Sequence, residues 1–289
     1  MNATLELTLR PGSSADASAC GEVCFRAFKR VAEAHGYVPD FPSPAIATGF
    51  LGRILGHAGF YSVVAEEEGR VIGSNFLDER SAVAGVGPLS IDPESQDRGV
   101  GRLLMERVLV RADDRGFAGV RLVQAAYHVR SLALYAKLGF RVRKSLANVQ
   151  GAPFHFSLPD CAVRRARSED VEACDRLCCR VHGLDRHGEL VDAVAAGTAK
   201  VVVRTGRITG YTTQVAFFGH AVAESNQDLM ALVGAAPAFA GPGFLVPLDN
   251  TELFRWCLER GLRVVQTMTL MSIGLYNEPA GAYLPSVLY

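Results

Sequence analysis

Residues 89–104 read Leu89-Ser90-Ile91-Asp92-Pro93-Glu94-Ser95-Gln96-Asp97-Arg98-Gly99-Val100-Gly101-Arg102-Leu103-Leu104, and the reading of this stretch decides the fold. A short β-rich run ends at a proline, which has no N–H to give to a ladder. A Gln-x-x-Gly-x-Gly turn then opens an amphipathic helix with Leu103, Leu104, Val108 and Leu109 on its apolar side. Glycines there let the backbone approach a ligand closely. The helix N-terminus adds partial positive charge, so the turn has the parts of a pyrophosphate cradle. Arg98 and Arg102 can add charge-assisted bonds to phosphate. A glycine-rich strand-to-helix turn is also stable with no ligand, and Gly-x-Gly alone fits both readings. It is not a dinucleotide fingerprint, because Leu104 stands where a third glycine would be.

Further along the chain comes Ser131-Leu132-Ala133-Leu134-Tyr135-Ala136-Lys137-Leu138-Gly139-Phe140. The first segment resembles the acetyl-CoA motif of the GNAT acyltransferase superfamily: a strand, then Val/Ile-x-Pro-x-x-Gln/Arg-x-x-Gly-x-Gly/Ala, then a helix. The second resembles that family's Ala-x-x-Leu-Tyr-x-x-x-Gly-Phe signature. Their order and spacing fit, and so does the β-α-α-β-β-β-α-β-α-β order expected over residues 3–150. In that reading the strand elements fall at Leu5–Leu9, 61–66, 71–78, 84–92, 119–126 and 140–148. The helices fall at 14–35, 43–57, 100–115 and 131–138.

The resemblance implies acetyl-CoA as acyl donor and no metal. It implies that the backbone of Leu89, Ser90 and Ile91 pairs with the pantetheine arm as an added strand would. Gln96, Asp97, Arg98, Gly99, Val100, Gly101 and Arg102 would wrap the pyrophosphate. A backbone N–H near Leu89 or Ser90 would polarise the thioester carbonyl. Tyr135 takes the place of the phenol that protonates the leaving CoA sulfur; it also fits a core aromatic on an amphipathic helix. His128 stands where the family often has Asn, so a pantetheine contact is altered or made by the imidazole. For the general base, Asp78 and Glu79 end the strand before the central splay, and Tyr127 and His128 are rivals. Each also reads as a solvated strand end. Residues Glu33 to Pro39 lie where such proteins shape the acceptor site.

The chain also repeats itself. Residues 9–26 laid over 163–180, an offset of 154, give seven identities in eighteen: Arg10/Arg164, Ser14/Ser168, Asp16/Asp170, Ala19/Ala173, Cys20/Cys174, Cys24/Cys178 and Arg26/Arg180. The hairpin turn Gly69 to Gly73 matches Gly206 to Gly210 at offset 137, and Gly139 to Val142 matches Gly261 to Val264 at offset 122. Shrinking offsets in a common order read as two copies of one α/β unit, the second shorter. The expected fold is α/β (α+β), with two GNAT-like units, each a mixed, mostly antiparallel sheet flanked by helices. The expected domains are 1–152, catalytic and acetyl-CoA-binding, and 161–289.

Copy two departs at the phosphate loop. The last 15 missing residues are expected there, and Phe218 to Asp228 contain no Gly-x-Gly. Glu224 and Asp228 at that helix start suit the helix dipole but repel phosphate. Cys257 stands at the Tyr135 position, while Asn250 matches the usual Asn. Copy two is therefore expected to be degenerate, to pack on copy one and to help wall the acceptor pocket. The apolar tail Ala282 to Tyr289 is expected to dock at the domain interface.

Thirty basic residues balance thirty acidic ones, which disfavours a general nucleic-acid binder. The apolar fraction of 49% supports a sizeable core. Seven cysteines and no signal-like N-terminus point to reduced thiols in a cytoplasm. Cys174, Cys178, Cys179, His182 and His187 read as core thiols and nearby imidazoles rather than as a zinc site. The expected partner is a small-molecule or peptide amine, with no nucleic acid and no membrane. Monomer and homodimer both stay open, and a non-catalytic acyl-CoA sensor is the alternative to an enzyme.

Overall fold

A computed structural model describes residues 7–288. The first strand, β1 (Leu7–Pro11), is expected from Leu5, whose position lies outside the described residues. Then come α1 (Ala17–Ala34), α2 (Pro44–Leu55), β2 (Phe60–Glu67), β3 (Arg70–Asp78), β4 (Val83–Val86) and β5 (Ser90–Ile91). After these follow α3 (Val100–Asp114), β6 (Gly119–Ala125), α4 (Val129–Lys137) and β7 (Arg141–Gln150). The second copy runs β8 (Cys161–Arg165), α5 (Val171–His182), α6 (His187–Ala196), β9 (Lys200–Arg204), β10 (Arg207–Thr212) and β11 (Ala221–Ala223). It ends with α7 (Asn226–Gly234), β12 (Phe244–Pro247), α8 (Thr251–Glu259), β13 (Arg263–Gly274) and β14 (Ala282–Leu284). For copy two the sequence predicts a strand at 162–166, a helix at 169–182, a hairpin at 200–217, a helix at 225–235, a strand at 243–247, a helix at 250–260 and a strand at 263–273, without α6, β11 or β14. For copy one it predicts one strand over 84–92 where the structure has two, broken at Pro88, which cannot donate to the ladder.

The repeat recurs in detail. Arg10 holds Asp16 at 2.7 and 3.0 Å, and Asp16 accepts from the N–H of Ser13 before α1. Arg164 holds Asp170 at 2.7 Å, and Asp170 accepts from the N–H of Arg167 before α5. Both hairpins turn on a residue pair with positive φ, Glu68-Gly69 and Thr205-Gly206, the backbone that suits a tight two-residue connection.

The chain divides into two compact units that are not the two sequence copies. One holds the residues through Glu79, Val83–Val120 and Ala133–Gly139; the other holds Arg80–Ala82, Arg121–Leu132 and everything from Phe140. In the first, β1, β2, β3 and β4 pair in order, and β3 divides its partners. Its outer end meets β4 at Leu77↔Val86, and its middle meets β5 at Gly73↔Ile91. Helices α1 and α2 cover one face through Cys20, Cys24, Phe41, Leu51 and Phe76. Helix α3 covers the other, where Asn75 Nδ2 donates to the carbonyl of Leu104 at 3.4 Å.

The second unit explains why copies and units differ. Strands run β6-β13-β7-β12 in one sheet and β14-β11-β10-β9-β8 in another. The last strand of each copy has changed places. β7 pairs with β12 and β13 of copy two, at Val246↔Ala147 and Thr267↔Ala147, while β13 lies between β6 and β7. The tail forms β14 and pairs with β11 at Val222↔Tyr283.

Candidate functional site

The junction after β5 is built on Asp92. Its N–H reaches the carbonyl of Ile72 at 2.7 Å, and its carboxylate is fully buried. Arg26 of α1 and Arg70 of β3 donate to that carboxylate at 2.7 and 3.3 Å. Asp92 in turn shapes the loop: its Oδ1 accepts from the N–H of Glu94 at 3.1 Å and its carbonyl from Ser95 at 2.8 Å. Gln96 Nε2 donates back to the carbonyl of Ile91 at 3.3 Å. The sequence reading missed this clamp, although Arg26 and Arg70 both fall in the repeated segments.

Gly99 then takes φ +83°, with open space where a side chain would start. Its carbonyl accepts from Arg102 and Leu103, which begins α3. No side chain caps this helix. The N–H groups of Gly99, Val100 and Gly101 bond to no acceptor among the described residues. Three outward donors at a helix N-terminus suit an anion. The expected arginines are engaged elsewhere. Arg98 is bidentate on Glu67, holding that carboxyl below its usual range, and Arg102 pairs with Glu106 at 2.7 Å. What this turn offers an anion is therefore its backbone donors and the helix end.

Helix α4 comes close to the cradle: a Cβ on Gly101 would lie 3.0 Å from Ile91 Cδ1 and 3.8 Å from Leu134 Cδ2. Tyr135, next along α4, is 9% exposed, and burial pushes its phenol up to about 12. His128 is half-buried and heads α4, its carbonyl accepting from Ser131 and Leu132. Leu89 is half-buried, Ser90 is buried against Ser74 at 3.3 Å, and Asp97 is exposed at φ +65°. Asp78 is buried at the end of β3 beside Gly85. Glu79 is turned the other way. Both its oxygens are held by Arg111 at 2.7 and 3.0 Å, near the C-terminal end of α3 and about 16 Å along that helix from the cradle.

Copy two closes the equivalent end. Gly210↔Ala223 repeats the pairing Gly73↔Ile91, and the N–H of Glu224 reaches the carbonyl of Thr209 at 2.9 Å as Asp92 reaches Ile72. Helix α7 then starts at once, with Ser225 Oγ accepting from the N–H of Asp228. The Asp228 carboxylate, 2% exposed, takes Arg204 at 2.6 Å and Thr209 at 3.0 Å. The missing residues are not all at this loop, as the sequence reading had them. The offset falls from 137 at Gly73/Gly210 to 132 at Ile91/Ala223, to 126 at the starts of α3 and α7, and to 122 at the starts of α4 and α8. Cys257 is fully buried and Asn250 caps α8 through the N–H of Leu253.

Residues 27–140 match the model of the acetyltransferase (GNAT) family. No curated protein matches the sequence. Among solved structures, a putative acetyltransferase from Pyrococcus horikoshii is 15% identical, with 97% of this chain and 94% of that one covered at a TM-score of 0.76. A GCN5-related N-acetyltransferase from Sphaerobacter thermophilus is 15% identical, covering 95% and 98% at 0.61. A tandem GNAT protein from the clavulanic acid biosynthesis pathway is 15% identical, covering 93% and 98% at 0.55. These likenesses extend over both copies and establish the fold.

Proposed function

We propose that this chain moves an acetyl group from acetyl-CoA to an amine, a reading supported by the match of residues 27–140 to the acetyltransferase (GNAT) family model. The observation that carries the reading is the cradle: three backbone donors at the uncapped start of α3, directly after β5. The pyrophosphate would sit on Gly99 to Gly101. The pantetheine arm would run along β5 past Leu89, whose N–H would face the thioester carbonyl; the N–H of Ser90 is turned to Ser74 of β3. The amine nitrogen attacks that carbon, the C–N bond forms, the C–S bond breaks, and Tyr135 gives its proton to the sulfur. Asp78 or His128 takes the proton lost by the amine, directly or through water. Copy two, with its helix start filled by Ser225 and Asp228, binds no second nucleotide.

One observation favours the non-catalytic reading. The carboxylate of Glu79 is already committed to Arg111, which leaves fewer groups to act as base. CoA release from acetyl-CoA with a panel of small amines and short peptides separates the two. Release with at least one amine is expected; tight binding of one acetyl-CoA per chain with no release would favour the sensor. Seven cysteines without a disulfide suit a reducing cytoplasm. Among the described residues no helix is long and apolar enough to cross a membrane.

A further inference from the structure

Strand β3 keeps two registers with the chain beside it. Leu77 and Asp78 pair with Val86 and Gly85, whereas Gly73 and Ser74 pair with Ile91 and Ser90. In between, Gly87, Pro88 and Leu89 stand opposite Asn75 and Phe76, so β4 and β5 are one strand interrupted by a bulge of one extra residue. The bulge breaks a ladder bond. The carbonyl of Phe76 accepts from the N–H of Gly87 at 3.0 Å, and a regular antiparallel pair would return a bond from the N–H of Phe76. That N–H goes instead to the side chain of Asn75, whose Oδ1 accepts it at 2.9 Å. Asn75 is fully buried. Its Nδ2 donates to the carbonyl of Leu104 at 3.4 Å and lies 3.3 Å from Sδ of Met105. The two neighbours fix which way the amide faces, because the Phe76 N–H needs an acceptor and the Leu104 carbonyl takes a donor.

A bulge re-aims the groups that follow it. Ser90 pairs with Ser74 and turns its N–H to β3, so the N–H of Leu89 turns away, to the opposite edge of β5. Pro88 has no N–H to offer at that edge. If the Asn75 oxygen were removed, the Phe76 N–H would be left unpaired in the core, which is costly. The nearest remedy is to draw the bulged residues onto β3, which moves Leu89. Resting on the acyltransferase reading, we propose that Asn75 is a positioning residue: it holds the bulge open and so sets the Leu89 N–H on the thioester carbonyl. Its amide nitrogen fastens the same bulge to Leu104 of α3, one turn after Gly101. The thioester end and the pyrophosphate end of the donor are thereby kept at one spacing.

The test is calorimetry on the full chain, without amine, using acetyl-CoA and S-ethyl-coenzyme A. The second has a methylene in place of the thioester carbonyl and is otherwise the same. The wild-type chain is expected to prefer acetyl-CoA by about three- to tenfold, the worth of one hydrogen bond. Asn75→Leu keeps the bulk and removes the amide. It is expected to lose that preference while its affinity for S-ethyl-coenzyme A stays unchanged. Asn75→Asp keeps an oxygen for the Phe76 N–H and is expected to keep the preference. A merely structural role would lower the stability of Asn75→Leu and leave the preference as it was, which overturns the proposal. An equal loss on both ligands overturns it too, because that reports damage at the phosphate cradle. If Asn75→Leu does not fold, Asn75→Ala decides by the same criteria. A wild-type chain with no preference overturns the proposal and removes Leu89 from the carbonyl, yet leaves acetyl transfer standing. A wild-type chain that binds neither ligand sinks the acyltransferase reading as well.

Discussion

Nη2 of Arg26 lies 2.7 Å from the fully buried carboxylate of Asp92. The same relationship recurs in copy two, where Arg180 and Arg207 hold Glu224. In both copies the clamped residue directly follows the strand that pairs with the glycine of β3 or β10. Copy two keeps the clamp without a phosphate loop, so the clamp first of all fixes how the chain leaves the sheet. In copy one it also anchors the cradle, through the N–H groups of Glu94 and Ser95.

Arg26→Met should therefore affect both stability and binding. It strips a buried carboxylate of its closer partner, and a loss of about 1–3 kcal/mol is expected. Arg180→Met should cost under about 1 kcal/mol, because Glu224 is partly exposed and keeps Arg207. Urea unfolding measures the difference. Coenzyme A should bind more weakly to the first variant and normally to the second; equal effects in both would refute an anchoring role.

The cradle glycines should separate conformation from space. Gly99 has room for a side chain but sits at φ +83°, which costs an L-residue about 1–2 kcal/mol. Gly101 has ordinary backbone but would press on Ile91. Gly99→Glu and Gly101→Glu should both nearly abolish coenzyme A binding, since each sets negative charge where phosphate must come. Retained affinity in either folded variant would show that the loop holds no pyrophosphate.

Strand exchange makes the first copy inseparable. A chain ended at residue 152 lacks β12 and β13, the two neighbours of β7. It would leave both edges of β7 without these partners, a template for aggregation. The fragment is expected to be insoluble or largely unfolded by circular dichroism. A soluble fragment with a cooperative transition would mean that β7 can pair with β6 instead.

This exchange was not legible in the sequence. The repeat showed in Arg10, Asp16, Cys20 and Arg26 because those residues serve the same local contacts in both copies. Which copy a strand pairs with leaves no mark on alternation, since side chains point to the two faces of the sheet and the partner is set by backbone bonds at the strand edges. The cradle was legible because Gly99 needs a conformation few residues tolerate. The clamp on Asp92 was not, because Arg26 and Arg70 lie 66 and 22 residues before it and nothing in their spacing shows that they meet it.

Stability should fall with acid through His220. The ring is fully buried, accepting from Tyr211 at Nε2 and donating from Nδ1 to Glu189, both at 3.0 Å. Burial, and then the charge of Arg186, push it down to about 4. The folded protein therefore resists a proton that the unfolded chain accepts near pH 6.5. Stability is full above that value and is lost as pH falls towards about 4, by roughly 3 kcal/mol at most. Glu189, held below its usual range by Arg186 against the effect of burial, loses stability in the same direction at lower pH. His220→Gln should flatten the slope between about pH 6.5 and 4.5 in urea unfolding. An unchanged slope would move the acid sensitivity to His182, whose burial also lowers its affinity for a proton.

Tyr135→Phe tests the chemistry itself. Burial holds the phenol at about 12, so it keeps its proton throughout the neutral and mildly alkaline range and can always act as an acid. The ring of Phe fills the same space, so acetyl-CoA affinity should not change. If chemistry limits turnover, kcat should fall by about 10²–10⁴-fold. The fall would be smaller if the CoA thiolate leaves unaided, since a thiol near ~8.5 is a fair leaving group. The same pKa constrains the pH profile. An alkaline limb due to Tyr135 would lie near 12, so wild-type kcat should stay level from about pH 8 to 10 as far as this group is concerned. A limb within that range that persists in Tyr135→Phe belongs to another group. Wild-type kcat in the variant, with chemistry shown to be rate-limiting, would leave Tyr135 as a core aromatic and pass the role of acid to His128 at the head of the same helix.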